Sequence, residues 1–316
     1  WSDEWSFYKN ATDVPVNAFL QLRVNEVLDP LSVTDSSFLL YETLNRQTIA
    51  ATTHLSPDGQ TLTLVPNQAM AMGRRYTLDA SQVKDMNGNK LYETRSFTTA
   101  FVADVQPPQV MTYSLEAEQT DVATNAQLHM AFDEAVNPLT LEGVALYHDQ
   151  DRLTLTPTLS NDNKRLRLEL IQPLQPHTRY TLKIQGVADL SGNLMTEQAR
   201  SFTTGSGADL YLPMLTRFVP ASQASGVGVN ARIELDFSEA IDPVSLQGDG
   251  VRLLDRQSMQ IVQTTIAVSD DRRLVVITPS SPLVAARQYT VYVSYYGTIY
   301  DQAGNRLSST SWSFSP

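Results

Sequence analysis

The stretch Val122-Ala123-Thr124-Asn125-Ala126, together with the alternating run that follows it to Phe132, decides the fold of this chain because it occurs three times. The other two copies are Val14-Pro15-Val16-Asn17-Ala18 and Val227-Gly228-Val229-Asn230-Ala231. Each copy continues into a glutamate and then a proline: Glu26 and Pro30, Glu134 and Pro138, and Glu239 and Pro243. A period of about 100 residues is the size of a small domain, so the chain is predicted to hold three copies of one independently folding unit.

The run after each copy alternates between two faces. In the second copy Ala126, Leu128, Met130 and Phe132 share one parity, and His129 lies on the other. A period of two with one apolar face is typical of a half-buried antiparallel strand, and the same parity in all three copies indicates which face packs on the core. His129 is therefore expected to be solvated.

Further strand-like stretches occur at matching places in each copy. They are Phe38 to Glu42 and Leu62 to Val65, Val144 to His148 and Leu166 to Leu170, and Val251 to Asp255 and Leu274 to Thr278. A tyrosine (Tyr76, Tyr180 or Tyr289) opens a late strand and is expected to bond upstream backbone, as in the tyrosine corner of immunoglobulin-like sandwiches. The only helical turns expected are short ones at Asp29-Pro30, Asn137-Pro138 and Asp242-Pro243.

The predicted fold class is therefore all-β, with three tandem immunoglobulin-like β-sandwich domains in an elongated arrangement. The predicted boundaries are 1–102, 103–206 and 207–316. Pro107-Pro108 favours a stiff first linker, and Gly205-Ser206-Gly207-Ala208 favours a looser second one.

Composition excludes several classes of protein. A formal net charge of −11 argues against nucleic-acid binding, since a polyanion would be repelled. The absence of cysteine excludes disulfides, thiol nucleophiles and zinc–thiolate sites. The chain contains no run of 18 apolar residues, so no transmembrane segment is predicted. The chain begins at Trp1 without a signal peptide and ends at Pro316 just after a strand-like stretch, so we expect it to be a segment of a longer protein.

The aligned copies resemble the bacterial Ig-like domains of S-layer proteins and of large surface or secreted proteins. The residues that carry the resemblance are Val227 to Asn230, Phe237 to Pro243, Leu174 to Pro176 with Tyr180, Asp189 to Asn193 and Ser201 to Thr204. The first copy departs most, because its stretch Val24 to Pro30 lacks the phenylalanine. The resemblance covers nearly the whole chain and implies a β-sandwich, an extracellular or cell-surface location, and a structural or adhesive role. It implies no catalytic residue set.

Two kinds of acidic position are candidate calcium ligands. One lies in the turns with the pattern Asp-x-x-Gly-Asn, at Asp85, Asp189 and Asp301. The other follows the first core strand, at Glu26 with Asp29, at Glu134, and at Glu239 with Asp242. Calcium takes six to eight oxygen ligands, and neither pattern supplies them alone. The favoured interpretation is that these carboxylates accept backbone hydrogen bonds within their loops. The alternative is a calcium site near a domain joint, completed by a carboxylate from a neighbouring loop.

Aromatic residues cluster late in the third copy, at Tyr292, Tyr295, Tyr296 and Tyr300. Exposed tyrosines can stack on sugar rings or anchor a protein partner, but they are also ordinary strand formers. The four histidines lie at no metal-ligand spacing, and the sequence contains no motif of a hydrolase or phosphate-binding enzyme. We therefore expect no catalytic site in this chain.

The predicted function is that of a non-catalytic spacer in a bacterial cell-surface or secreted protein. Its expected partners are neighbouring domains of the same polypeptide, with a cell-surface protein or polysaccharide as a further candidate, and the chain is expected to be monomeric. One alternative is an adhesin or carbohydrate-binding segment that uses the loops of the third domain. Another is an accessory region of a larger secreted hydrolase.

Overall fold

The computed structural model describes residues 3–247, 250–295 and 298–316. Its regular structure is almost entirely β-strand, arranged as six sheets that form three successive pairs along the chain. This confirms the predicted fold class of tandem β-sandwiches. Within the described residues, no helix has the length and apolar character needed to cross a bilayer.

The first domain has seven strands in two sheets. They are β1 (Asp3–Trp5), β2 (Leu20–Val24), β3 (Leu39–Glu42), β4 (Ala51–Leu55), β5 (Thr61–Pro66), β6 (Arg75–Asp79) and β7 (Thr94–Thr98). One sheet has the order β1-β2-β5-β4 and the other β3-β6-β7. A 3-10 helix, Pro30–Ser32, lies between β2 and β3, where Asp29 caps it by accepting a hydrogen bond from the Leu31 N–H.

The second domain repeats this plan with extra short strands. They are β8 (Val110–Tyr113), β9 (Gln119–Val122), β10 (Leu128–Phe132), β11 (Val144–His148), β12 (Asp151–Leu153), β13 (Leu155–Leu159), β14 (Arg165–Leu170), β15 (Arg179–Ile184) and β16 (Gln198–Thr204). The sheet orders are β13-β14-β10-β8 and β12-β11-β15-β16-β9. A 3-10 helix, Pro138–Gly143, stands at the place of the one in the first domain, and Asn137 caps it.

The described part of the third domain has eight strands. They are β17 (Leu215–Val219), β18 (Ile233–Phe237), β19 (Val251–Asp255), β20 (Gln260–Val262), β21 (Thr264–Val268), β22 (Leu274–Pro279), β23 (Tyr289–Val293) and β24 (Thr310–Phe314). The sheet orders are β17-β18-β22-β21 and β20-β19-β23-β24.

The alternating strands pair in register with their apolar faces inward. In the second domain Met130 of β10 lies opposite Leu166 of β14, and both are almost fully buried. The equivalent pair in the first domain is Leu22 and Leu62. Each domain has its own hydrophobic cluster, as expected of independently folding units. Leu190 of the second domain nevertheless belongs to the cluster of the first, so the two domains are packed together.

The tyrosine corner is present in every domain. The hydroxyl oxygens of Tyr76, Tyr180 and Tyr289 each accept a hydrogen bond, at 2.9 Å, from the backbone N–H five residues upstream. This confirms the predicted role of the repeated tyrosine.

The glycines of the second linker are hydrogen-bonded to the second domain. The Gly205 N–H donates to the Val122 carbonyl at 2.8 Å, and the Gly207 carbonyl accepts from the Thr124 N–H at 3.0 Å. The two glycines therefore continue the hydrogen bonding of that domain, and the greater looseness of this linker relative to the first stays a prediction.

Candidate functional site

The asparagine of the repeated motif holds the linker that leads into the next domain. The Asn17 side chain donates to the Asp104 carbonyl at 2.7 Å and accepts from the Asp104 N–H at 2.9 Å. Asn125 makes the same pair of bonds to Asp209, at 2.8 and 2.9 Å. A residue that looked like part of the fold signature therefore also builds the joints between domains.

A second repeated contact joins the residue that precedes the next strand (β2 or β10) to the Asp-x-x-Gly-Asn turn of the next domain. The Phe19 N–H donates to the Leu190 carbonyl, and the Gln127 N–H donates to the Gln302 carbonyl, both at 2.8 Å. In each case the side chain of the same residue covers the turn glycine, Gly192 or Gly304. The first joint (domains one and two) and the second joint (domains two and three) thus share one geometry.

Each joint contains a cluster of three carboxylates, which we call the acidic triad. The triads are Asp104, Glu134 and Asp189 at the first joint and Asp209, Glu239 and Asp301 at the second, and in each the carboxylate oxygens lie within 4.8 Å of one another. The aspartate of the turn is buried, and the other two carboxylates are half-buried. Three like charges this close are unfavourable unless a proton or a cation balances them.

The pKa values of the two glutamates reflect this repulsion between like charges. Burial, a hydrogen bond to Asp104 and the negative charges of Asp104 and Asp189 raise the pKa of Glu134 to about 8. Burial and the charges of Asp209 and Asp301 raise the pKa of Glu239 to about 7. At pH 7 Glu134 is therefore mostly protonated and Glu239 is about half protonated, and a divalent cation could replace these protons.

The first domain provides an internal comparison. Asp189 and Asp301 have raised pKa values because burial, together with the nearby linker aspartate, outweighs their hydrogen bonds. The corresponding Asp85 is also buried, yet hydrogen bonds from Asn87 and Asn89 hold its pKa below the usual range. Asp104 and Asp209 each stand 30 residues before their glutamate, and among the described residues no third carboxylate forms such a cluster with Glu26 and Asp85. The linker aspartate is thus what distinguishes the two triads from the Glu26 and Asp85 pair.

The turn aspartates also cap their loops as predicted. Oδ1 of Asp189 accepts from the N–H groups of Ser191 and Asn193 at 2.7 and 2.9 Å, and Oδ2 accepts from the Asn193 amide at 2.7 Å. The turn glycine takes a left-handed conformation, with φ of 84° at Gly192. The capping role and a place in the triad are compatible, because the Asn193 amide also reaches the Asp104 carbonyl at 3.3 Å.

Three other candidate ligands lie outside the triads. Asp29 caps the 3-10 helix of the first domain. The Asp242 carboxylate accepts from the Val244 N–H at 2.9 Å and also binds Nδ1 of His129. Glu26 lies at the end of the first domain that corresponds to the triads, and it belongs to no acidic cluster among the described residues.

His129 is not solvated as its strand parity predicts. Its side chain is only 10% exposed because the third domain covers the outer face of β10. The equivalent position in the first domain is Gln21, whose side chain accepts from the Asn137 amide at 2.6 Å. The same place in the two joints therefore holds an amide pair in one and a histidine–carboxylate pair in the other.

A turn residue ties each domain back to the first strand of the previous one. The Asn163 amide donates to the Ser6 carbonyl at 3.4 Å in the first joint. In the second joint the buried Arg272 guanidinium donates to the Ser114 carbonyl and binds the Glu116 carboxylate. At this position the second joint therefore has charge-assisted contacts where the first joint has a neutral hydrogen bond.

The predicted aromatic cluster is divided. Tyr292 and Tyr295 contact each other edge to face, with ring centroids 5.1 Å apart. Tyr300 lines a cleft between the second and third domains, where the Arg306 guanidinium lies 5.7 Å from its ring centroid. Tyr296 lies outside the described residues.

Sequence reasoning missed Asp104 and Asp209, because both lie in linkers without a periodic pattern. The signal that could have found them is their shared distance from Glu134 and Glu239 in the aligned copies.

Comparison with known proteins agrees with the three-domain fold. The sequence profile of the bacterial Ig-like domain matches residues 7–99, 104–204 and 212–316. An S-layer protein of Geobacillus stearothermophilus is 23% identical over an alignment of 313 residues, which covers 89% of this chain and 25% of that protein. The chain therefore spans about a quarter of the length of this relative.

Similar solved structures include the S-layer protein rSbsC(31–844), with 10% identity, a TM-score of 0.26, and coverage of 100% of this chain and 54% of that one. Another is PcoC, a methionine-rich copper resistance protein from Escherichia coli, with 22% identity and a TM-score of 0.26. It covers 33% of this chain and 98% of that one. Neither similarity bears on function.

Proposed function

Because the chain belongs to the bacterial Ig-like domain family, we propose that it is a non-catalytic spacer segment of a bacterial cell-surface or secreted protein. Tandem copies of a structural domain supply length and set the spacing between whatever lies on either side of them. The similarity to an S-layer protein supports the surface location.

The observation that carries this proposal is that the same joint is built twice. Asn17 and Asn125 clamp the following linkers by equivalent bonds, and at both places the residue two positions later bonds the turn of the following domain. A spacer needs each domain to hold the next at a defined angle. Repetition of the joint, in addition to the fold, supports this role.

We further propose that a divalent cation, with calcium as the candidate, binds each acidic triad and stiffens the joint. Carboxylate oxygens are the ligands that calcium prefers, and backbone carbonyls can supplement them. A cation would balance the three negative charges that otherwise require a proton on Glu134 or Glu239. Because Asn17 and Asn125 hold the backbone of the linker aspartate, cation binding would link neighbouring domains.

The test is a calcium titration of the whole chain, followed by melting temperature and small-angle scattering. We expect saturable stabilisation, about 2.7 kcal/mol at one hundred times the dissociation constant, and a narrower spread of molecular dimensions with calcium than with a chelator. Glu134→Gln and Glu239→Gln together should abolish the response, whereas Glu26→Gln should preserve it. An unchanged melting temperature in calcium would rule out the cation sites, and a compact scattering profile would rule out the spacer.

A further inference from the structure

The largest difference between the two joints is a basic cleft at the second one. The cleft has a volume of about 720 Å³ and lies between the second and third domains. Among the described residues that line it are three arginines, Arg165, Arg167 and Arg306, against one acidic residue, Asp162. Arg167 also lies 3.8 Å from the Glu169 carboxylate, so the excess of positive charge in this part of the acidic chain, whose formal net charge is −11, is small.

The equivalent positions of the first joint carry no such charge. The counterparts of Arg165 and Arg167 on the matching strand are Thr61 and Thr63, and the residue after the turn asparagine is Leu194 in place of Arg306. The counterpart of Tyr300 is Ala188. The first joint forms the asparagine clamp and the turn contact without these residues, so the contacts that both joints share do not require these arginines and this tyrosine.

Two arginines of the cleft are anchored by contacts that leave room for a ligand. The Arg165 guanidinium donates to the Gln247 carbonyl across the joint at 3.2 Å, and its other nitrogen is 3.9 Å from the Asp162 carboxylate. Arg306 lies over the Tyr300 ring. A guanidinium has five N–H donors, so these contacts leave donors that can bind a carboxylate in a bidentate manner.

The cleft also holds buried polar atoms that lack a partner within the described part of the chain. They are Nε2 of His129 and Oγ1 of Thr298, and both residues line the cleft. Nδ1 of His129 faces the Asp242 carboxylate, so Nε2 is on the side of the ring away from it. A buried polar atom without a hydrogen bond is costly, and a ligand with hydroxyl groups would satisfy both atoms.

We propose that this cleft binds a short acidic saccharide, with its carboxylates on the arginines and its hydroxyls on His129 and Thr298. The Tyr300 ring supplies an apolar surface for a sugar ring, and a cleft of this size lies in the range that holds small organic ligands. The assignment is independent of the spacer role and of the acidic triads, so its failure would leave both proposals standing.

The experiment is isothermal titration of the whole chain with trigalacturonate, compared with the neutral trisaccharide cellotriose. We expect saturable binding of one trigalacturonate per chain and none of cellotriose. The triple variant Arg165→Thr, Arg167→Thr and Arg306→Leu inserts the residues of the first joint and should weaken binding at least tenfold. Arg232→Thr, an exposed arginine outside the cleft, should bind like the wild type.

Further variants and a competitor separate the outcomes. Tyr300→Ala and His129→Gln also insert first-joint residues, and each should weaken binding while the melting curve confirms that the chain is folded. Retention of wild-type affinity in the triple variant would place the ligand elsewhere and overturn the proposal. So would a lack of any trigalacturonate binding. Displacement by equimolar inorganic phosphate would show a general anion site, which overturns the saccharide assignment.

Discussion

Single residues decide how closely a turn can approach the preceding domain, as a comparison of two turn glycines shows. Gly88 and Gly192 both have left-handed φ values, of 88° and 84°. A Cβ on Gly88 would meet nothing within 4 Å, whereas one on Gly192 would lie 2.8 Å from the Phe19 ring.

We therefore expect Gly88→Ala to cost about 1 kcal/mol of unfolding free energy through backbone strain alone. Gly192→Ala should cost about 1–3 kcal/mol more, because the Phe19 ring of the first joint must move. Urea denaturation of the two variants measures the difference. Equal losses would mean that the Phe19 contact adds nothing to the packing of the joint.

The raised pKa of Glu134 predicts how stability depends on pH when no divalent cation is present. Its folded pKa, about 8, is above its ordinary value of 4.5, so the protonated form is favoured by folding. The resulting stabilisation is complete below pH 4.5 and is lost as the pH rises through 8. Allowing for partial solvent screening, we expect a loss of about 1–2 kcal/mol across this window in chelator.

Melting curves from pH 5 to 9 in a chelator would measure this loss. Glu134→Gln should make the melting temperature depend less on pH, since the glutamine side chain does not titrate. Glu26→Gln, at a glutamate that belongs to no acidic cluster among the described residues, is the matched control and should keep the slope. A wild-type profile that does not fall toward pH 9 would contradict the assignment of the proton to Glu134.

The residues of the candidate site were only partly predictable from the sequence. Glu134, Asp189, Glu239 and Asp301 stand in loops that follow recognisable strands, so their recurrence marked them as candidates. Asp104 could not be found from hydrophobic period, since it lies in a linker. The burial of His129 depends on a neighbouring domain that covers its strand, and strand parity within one domain carries no information about that.

At the scale of elements, the strands with an alternating apolar face were predictable, whereas the edge strand β13 was not. β10 and β14 alternate apolar and polar residues because one face packs on the core. β13 pairs only with β14, has Pro157 at its centre and buries little, so it lacks the alternation that identifies a strand. The arginines of β14 look like ordinary solvent-facing positions, and only the pairing of domains shows that they line a cleft.

The tyrosine corner gives a prediction at this scale, because one hydroxyl ties a late strand to the segment that precedes it. Tyr180→Phe removes the acceptor for the Gln175 N–H and should lower the unfolding free energy of the second domain by about 1–2 kcal/mol. Tyr92→Phe, at an exposed tyrosine of the first domain, should change the unfolding free energy of that domain by less than about 0.5 kcal/mol. Urea denaturation would compare the two variants, and equal effects would show that the corner bond is not stabilising.

For the whole molecule, the most testable property is the angle between the second and third domains. Arg272 is buried between them, and its guanidinium binds the Ser114 carbonyl and the Glu116 carboxylate of the second domain. Arg272→Asn inserts the residue that the second domain has at the equivalent position, Asn163. It shortens the side chain and removes the ion pair, so the second joint should become more flexible.

Spin labels on cysteines introduced into β16 and β22 would report this change as a distance distribution, since the chain has no native cysteine to compete for the label. We expect one narrow distance in the wild type and a broader distribution in Arg272→Asn. The neighbouring Arg273→Asn, at an exposed position, should keep the narrow distribution. A wild-type distribution as broad as that of Arg272→Asn would mean that the contacts of the second joint do not set the angle between the domains. A spacer of defined geometry would then require another source of rigidity, such as the cations proposed for the acidic triads.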